Sequence, residues 1–175
     1  DGTAVFKENK MVGYLTENET RGLIFLRNHI KETLYPGKTD KVEYSTVQIY
    51  KANRKITMTQ KNDNIIMNIH IKASGNLKEF LLGSDIEFLS DGDVNQLEQN
   101  IASQIEDDCR AVIDKAMNEY GVDLFYFGDM IWKSDPDLWK TIKEDQIDYL
   151  KKINVQYTIE VNLNRVGLEQ VLETK

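Results

Sequence analysis

The sequence predicts an α+β domain, in which an antiparallel or mixed β-sheet carries helices, one of them long, packed mainly on one side. Three observations predict it. Apolar and polar residues alternate with a period of two within residues 42–73, a helical period runs from residue 94 to residue 120, and residues 155–163 return to alternation. No internal repeat and no Pro/Gly/Ser-rich linker divides these patterns, so residues 1–175 read as one domain.

The chain opens on two short β-prone runs, 3–7 and 11–14, around Glu8-Asn9-Lys10, which predict a hairpin. Thr16 and Glu19 then have the spacing of a capping box, in which each side chain satisfies a backbone N–H left free at a helix start. A helix is expected over 17–32, with Leu23, Leu26, Ile30 and Leu34 giving it one apolar face. Gly22 inside it costs about 1 kcal/mol relative to alanine, which a close backbone contact would explain. Pro36-Gly37 should end this element in a turn.

Over 42–73, Val47 and Ile49, then Ile65, Met67, Ile69, Ile71 and Ala73, fall on one strand face, while Asn68, His70 and Lys72 fall on the other. The polar segments 52–55 and 61–64 read as turns between strands. Ser74-Gly75-Asn76 reads as the break ending the last one, and 86–89 as a further short strand. Asp91-Gly92-Asp93 starts the long helix, whose apolar residues are Val94, Leu97, Ile101, Ile105, Val112, Ala116 and Tyr120. Gly121 is placed to close it in the left-handed conformation. A short helix is expected over 122–132, and Asp135 before Pro136 reads as an N-cap with proline at the first helical position.

Composition narrows the function classes. The apolar share of 41% and charged share of 29% suit a folded globular domain. Twenty-two basic against twenty-nine acidic residues give a net charge of -7, and the lysines are scattered among acids, so neither nucleic acid nor an anionic lipid surface is favoured as a partner. No apolar run approaches the roughly 20 residues that span a bilayer. The sequence begins at Asp1, without an initiator methionine or a signal peptide, which reads as a piece of a longer protein.

Catalytic chemistry finds few carriers. His29 and His70 have no second histidine or cysteine at metal-ligand spacing and read as surface or boundary residues. Cys109, preceded by Asp107 and Asp108, has surroundings that raise a thiol pKa and reads as a packing residue. Asp91-Gly92-Asp93 and Asp135-Pro136-Asp137 fit helix starts, and Glu106-Asp107-Asp108 fits a solvated helix face. None continues as a calcium loop. No phosphate-binding glycine loop, nucleophile elbow or zinc-protease motif occurs, so no cofactor, metal or catalytic residue is assigned. A carboxylate pair brought together only by the fold would escape such a reading.

The remaining feature is the aromatic concentration in 121–140, which holds Phe125, Tyr126, Phe127 and both tryptophans, Trp132 and Trp139. Such a cluster reads first as a second core beneath the long helix. Aromatic residues also dominate protein-interface hot spots, so Phe125, Tyr126, Trp132 and Trp139 are candidates for a partner surface.

Several ordered motifs carry a family resemblance. Ala4-Val5-Phe6-Lys7, Met11-Val12-Gly13-Tyr14-Leu15-Thr16 and Glu19-Thr20-Arg21-Gly22 are followed by Gly121-Val122-Asp123-Leu124-Phe125-Tyr126-Phe127-Gly128, then Pro136 and Trp139, and finally Asn164-Arg165-Val166-Gly167. Together they resemble the C-terminal domain of the Ger(x)C family, the C-subunit lipoproteins of nutrient germinant receptors in spore-forming bacteria. The resemblance implies a lipid-anchored protein on the outer face of the spore inner membrane, with integral-membrane A and B subunits as partners. It brings no enzymatic activity. The lipid-bearing cysteine and the preceding domains of that family are not in these residues, and Cys109, inside a predicted helix, cannot replace the anchor. The expected function is therefore a non-catalytic protein-interaction domain needed for nutrient-triggered germination. The alternatives are direct nutrient binding near Tyr126 and Trp132, and a cryptic hydrolase acting on a spore polymer.

Overall fold

The computed structural model describes residues 2–61, 64–82, 89–143, 150–151 and 153–164. Strands β1 (Thr3–Lys7) and β2 (Lys10–Leu15) form a hairpin, and Thr16 caps helix α1 (Glu17–Leu26) through the predicted capping box with Glu19. Strands β3 (Thr33–Gly37), β4 (Val42–Lys61), β5 (Asn64–Leu82) and β6 (Asn154–Asn164) form one sheet in the order β3-β4-β5-β6. Between β5 and β6 lie α2 (Asp91–Asp114), continued by one wider turn of π-helix (Lys115–Glu119), then α3 (Phe127–Ser134) and α4 (Pro136–Ile142).

The sheet is mixed. β3, β4 and β5 are antiparallel neighbours, whereas β6 runs parallel to β5, a pairing that needs the long crossover supplied by the helices. Its inner face buries Val47, Ile49, Ile65, Met67, Ile69, Ile71, Ala73, Val161 and Leu163 against α2, which supplies Val94, Leu97, Ile101, Ile105 and Val112 at helical spacing, with Ala116 added by the π-helical turn. The wet face carries His70, Lys72 and Glu160. The α+β architecture with one long helix is thus as expected.

Several boundaries differ from the expectation, each for a local reason. α1 stops at Leu26 and not at residue 32, because Asn28 turns left-handed (φ 58) and sends its carbonyl oxygen Oδ1 to accept the Arg54 N–H, 2.8 Å away. His29 and Ile30 therefore follow the helix. Leu34 sits on an exposed strand position, and Pro36-Gly37 ends strand β3 in place of a helix. Residues 52–55 do not turn but lie inside the 20-residue β4. A bulge between Ile49 and Lys51 shifts the phase of that strand, so Ser45, Val47 and Ile49 face inward before it and Ala52, Arg54, Ile56 and Met58 after it. Residues 74–76 likewise continue β5, with Gly75 paired to Ile49. The expected helix over 122–132 starts only at Phe127. Asp123 holds the preceding turn by accepting the backbone N–H groups of Phe125 and Gly128, both at 2.9 Å. Residues 62–63 of the predicted turn, 86–88 of the predicted short strand and 165–167 of the closing motif lie outside the described residues.

Candidate interaction surfaces

Helix α1 crosses α2 at Gly22. A Cβ there would stand 2.1 Å from the Asp108 carbonyl oxygen, so only glycine lets the two backbones meet. This contact brings Arg21 over Asp108, whose Oδ2 accepts from Arg21 Nε at 2.9 Å and from the Tyr35 hydroxyl at 2.8 Å. Asp108 is buried, so the expected solvated face of 106–108 is corrected: the crossing helix removes this one carboxylate from water and supplies two donors in exchange. The Arg21 guanidinium also lies 4.8 Å over the Tyr35 ring. Burial first, and then the Asp108 charge, push the Tyr35 hydroxyl above its ordinary range, so it remains a neutral donor.

His29 lies exposed just past the end of α1, whereas Cys109 and His70 make structural contacts. Cys109 is buried beside this crossing. Burial and the charges of Asp108 and Glu106 raise its thiol pKa, the opposite of an activated thiolate. His70 meets Glu160 at 2.8 Å on the wet face of the sheet, and Lys72 meets the other oxygen of the same carboxylate at 3.0 Å. Those two contacts, Lys72 foremost, lower the Glu160 pKa. Among the described residues, no group of three or more His, Cys, Asp or Glu could hold a metal ion.

The four aromatic candidates of 121–140 do not share one surface. Phe125 is buried, its ring 5.3 Å from that of Phe127, inside the core. Trp139 is half-buried against the same core. Tyr126 and Trp132 stay in water, 57% and 53% exposed. Tyr126 adopts a left-handed backbone (φ 63) at the start of α3, with the Arg27 guanidinium 5.4 Å from its ring and Arg27 Nε donating to the Leu124 carbonyl at 3.0 Å. The end of α1 thereby fastens this loop.

A second apolar surface was not singled out from sequence. Pairing in the hairpin sets Phe6 across from Met11 and Ala4 across from Tyr14, and directly paired residues share a face. That face points outward, with Phe6 and Tyr14 each 59% and Met11 49% exposed. Behind it the Tyr120 hydroxyl donates to the Tyr14 carbonyl at 2.9 Å, and Lys115 ties down the following helix α1 through Glu19 at 3.1 Å. The available signal was the outward phase of residues 4 and 6 in a five-residue strand, too short for periodicity to reveal.

A cavity of about 270 Å³ lies between the end of α2 and the start of β6, lined by Arg110, Ile113, Met117, Ile153 and Tyr157 among others. Tyr126 and Trp132 do not line it. Arg110 bonds Glu106 and stacks over the Tyr157 ring at 4.9 Å.

Comparison with known proteins places this architecture. The chain is 29% identical over 172 residues to spore germination protein B3 of Bacillus subtilis (strain 168), an alignment covering 95% of the chain and 46% of that protein. It is 26% identical over 169 residues to spore germination protein YndF of the same strain, covering 95% of the chain and 41% of that protein. The chain thus spans less than half the length of these curated relatives. A solved structure described as the crystal structure of the GerBC protein superposes with a TM-score of 0.81 at 25% identity, over 93% of this chain and 51% of that one. The sequence model of the family described as "Spore germination B3/GerAC like, C-terminal" matches residues 1–167. The chain therefore belongs to the Spore germination B3/GerAC-like C-terminal family.

Proposed function

We propose that this chain is a non-catalytic protein-interaction domain of a germinant receptor C subunit, needed for nutrient-triggered germination. In this reading it forms the C-terminal part of a longer lipoprotein, anchored by an N-terminal lipid to the outer face of the spore inner membrane. Its partners are the integral-membrane A and B subunits. The observation that carries the proposal is the family match over residues 1–167, in a fold where His70, the Cys109 thiol and the Asp108 carboxylate are engaged in structural contacts. The outer hairpin face and the Tyr126 and Trp132 side chains are the surfaces offered to partners, because exposed aromatic side chains on a firmly held backbone lose little freedom on binding.

The test is a receptor whose C subunit carries Phe6→Ser, Tyr14→Ser and Trp132→Ser, with subunit levels followed by immunoblot. Nutrient germination is expected to fall while the C subunit itself persists. Normal germination and normal assembly of the receptor would refute the reading.

A further inference from the structure

We infer that the outer edge of β6 over residues 155–161, unpaired among the described residues, pairs with the same edge of a second copy, joining two four-stranded sheets into one across a two-fold axis. The sheet has two edges, and they are built differently. β3 has five residues, includes Pro36, and is covered by α2, from which Gln104 donates to the Pro36 carbonyl at 2.7 Å. Short length, proline and side-chain cover are the usual means of blunting an edge. β6 has eleven residues, and among the described residues no strand pairs with its outer side.

The direction of its main-chain groups follows from one hydrogen bond. Glu98 of α2 accepts the Leu163 N–H at 2.8 Å, so that N–H points away from β5. In a strand the N–H and C=O of alternate residues point to the same side, so those of Val155, Tyr157, Ile159 and Val161 also face outward. Glu98 caps one end of the edge and leaves residues 155–161 as an open ladder. Only another polypeptide strand offers donors and acceptors at this repeat.

Apolar cover and charge favour a second copy over a foreign strand. Val161 and Leu163 are buried, whereas Val155, Tyr157 and Ile159 on the same inner face remain half-exposed toward the edge. Antiparallel pairing centred on Thr158 sets Tyr157 opposite the other copy's Ile159 and Val155 opposite its Val161, covering this remnant. On the wet face it sets Gln156 opposite Glu160, so no like charges are directly opposed. It also brings Lys151 and Arg110, at the start of one β6, toward the Glu98 that caps the end of the other. The net charge of -7 on each copy opposes association at long range, but it is screened beyond about 8 Å at physiological salt. The local match therefore decides. Closed two-fold pairing consumes both edges and stops at a dimer.

Sedimentation equilibrium of the 175-residue chain tests this, with circular dichroism as the control for folding. A monomer–dimer equilibrium is expected, weakening as salt screens the Lys151–Glu98 pairs. Ile159→Pro deletes an outward N–H that the sheet does not use, and should weaken the dimer by at least about tenfold. Thr158→Lys, at an exposed position, opposes two lysines on the axis and should do the same without touching the core; it decides the matter if Ile159→Pro does not fold. Glu98→Lys and Lys151→Glu should each weaken the dimer, and the double variant should recover it. A chain monomeric throughout, a dimer indifferent to Thr158→Lys, or a double variant no better than the singles would overturn the inference. A monomer would leave this edge to a foreign strand.

Discussion

The α1–α2 crossing and the hairpin beside it place side chains against type. The crossing buries a carboxylate, Asp108, and keeps a guanidinium half-buried beside it, whereas the hairpin holds Phe6, Met11 and Tyr14 in water. Asp108 can be buried because Arg21 and Tyr35 both donate to it and Gly22 lets the helices close around it. The hairpin aromatics stay outside because the other face of a two-stranded sheet already carries Val5 and Leu15 into the core. Location is set by which partners the fold brings near, more than by residue type.

The crossing is most sensitive at its tightest point. Gly22→Val places branched carbon atoms where the Asp108 backbone stands and should prevent folding, or lower stability by more than about 4 kcal/mol, as read by urea denaturation. Next comes Phe125→Ala, which empties a core position and should cost about 3–5 kcal/mol. Asp108→Ala leaves Arg21 Nε without its acceptor, though Asn18 and Glu17 still meet the guanidinium, and leaves the buried Tyr35 hydroxyl without one. A loss of about 2–4 kcal/mol is expected, the lower end reflecting the partial exposure of Arg21.

A pH measurement sharpens the contrast between carboxylates. Asp93 closes the α2 capping box with Ser90 and meets Lys41 at 3.0 Å, and these hydrogen bonds, Ser90 foremost, lower its pKa to about 2. A depressed carboxylate contributes its stability above the unfolded pKa of about 3.9 and loses it as the pH falls toward the folded value. Unfolding midpoints should therefore drop between about pH 4 and pH 2, and Asp93→Asn should flatten that part of the profile. The smallest effect belongs to the hairpin, where Phe6→Ser or Tyr14→Ser should change stability by no more than about 0.5 kcal/mol. A large loss there would mean that the outer face is part of the core after all.

Legibility followed the range of the interaction. The capping box at Thr16, the N-cap at Asp135 and the left-handed Gly121 (φ 59) were visible because each is made by residues within a few positions of one another. The α2 face and the β6 alternation were visible because a long element repeats its burial at a fixed period. The ends of β4 and β5 were misplaced where bulges shift the phase, since a two-residue period carries no mark of its own interruption. The aromatic segment was legible as a cluster, but its division into buried Phe125 and exposed Tyr126 and Trp132 was not.

By itself the sequence determined the α+β class, the long helix with its start near Asp91 and its stop at Gly121, and the ordered motifs that carry the family. Those features rest on local hydrogen bonds, helix and strand periods and residue order, all of which exist before the chain closes on itself. Only the tertiary structure decided that β6 joins β5 in parallel, that Asp108 is enclosed while Phe6 and Tyr14 are not, and that among the described residues one edge of the sheet is covered and the other open. The physical reason is that these depend on contacts between residues far apart in the chain, such as Arg21 with Asp108 and Glu98 with Leu163, and no local period encodes which distant group will stand opposite.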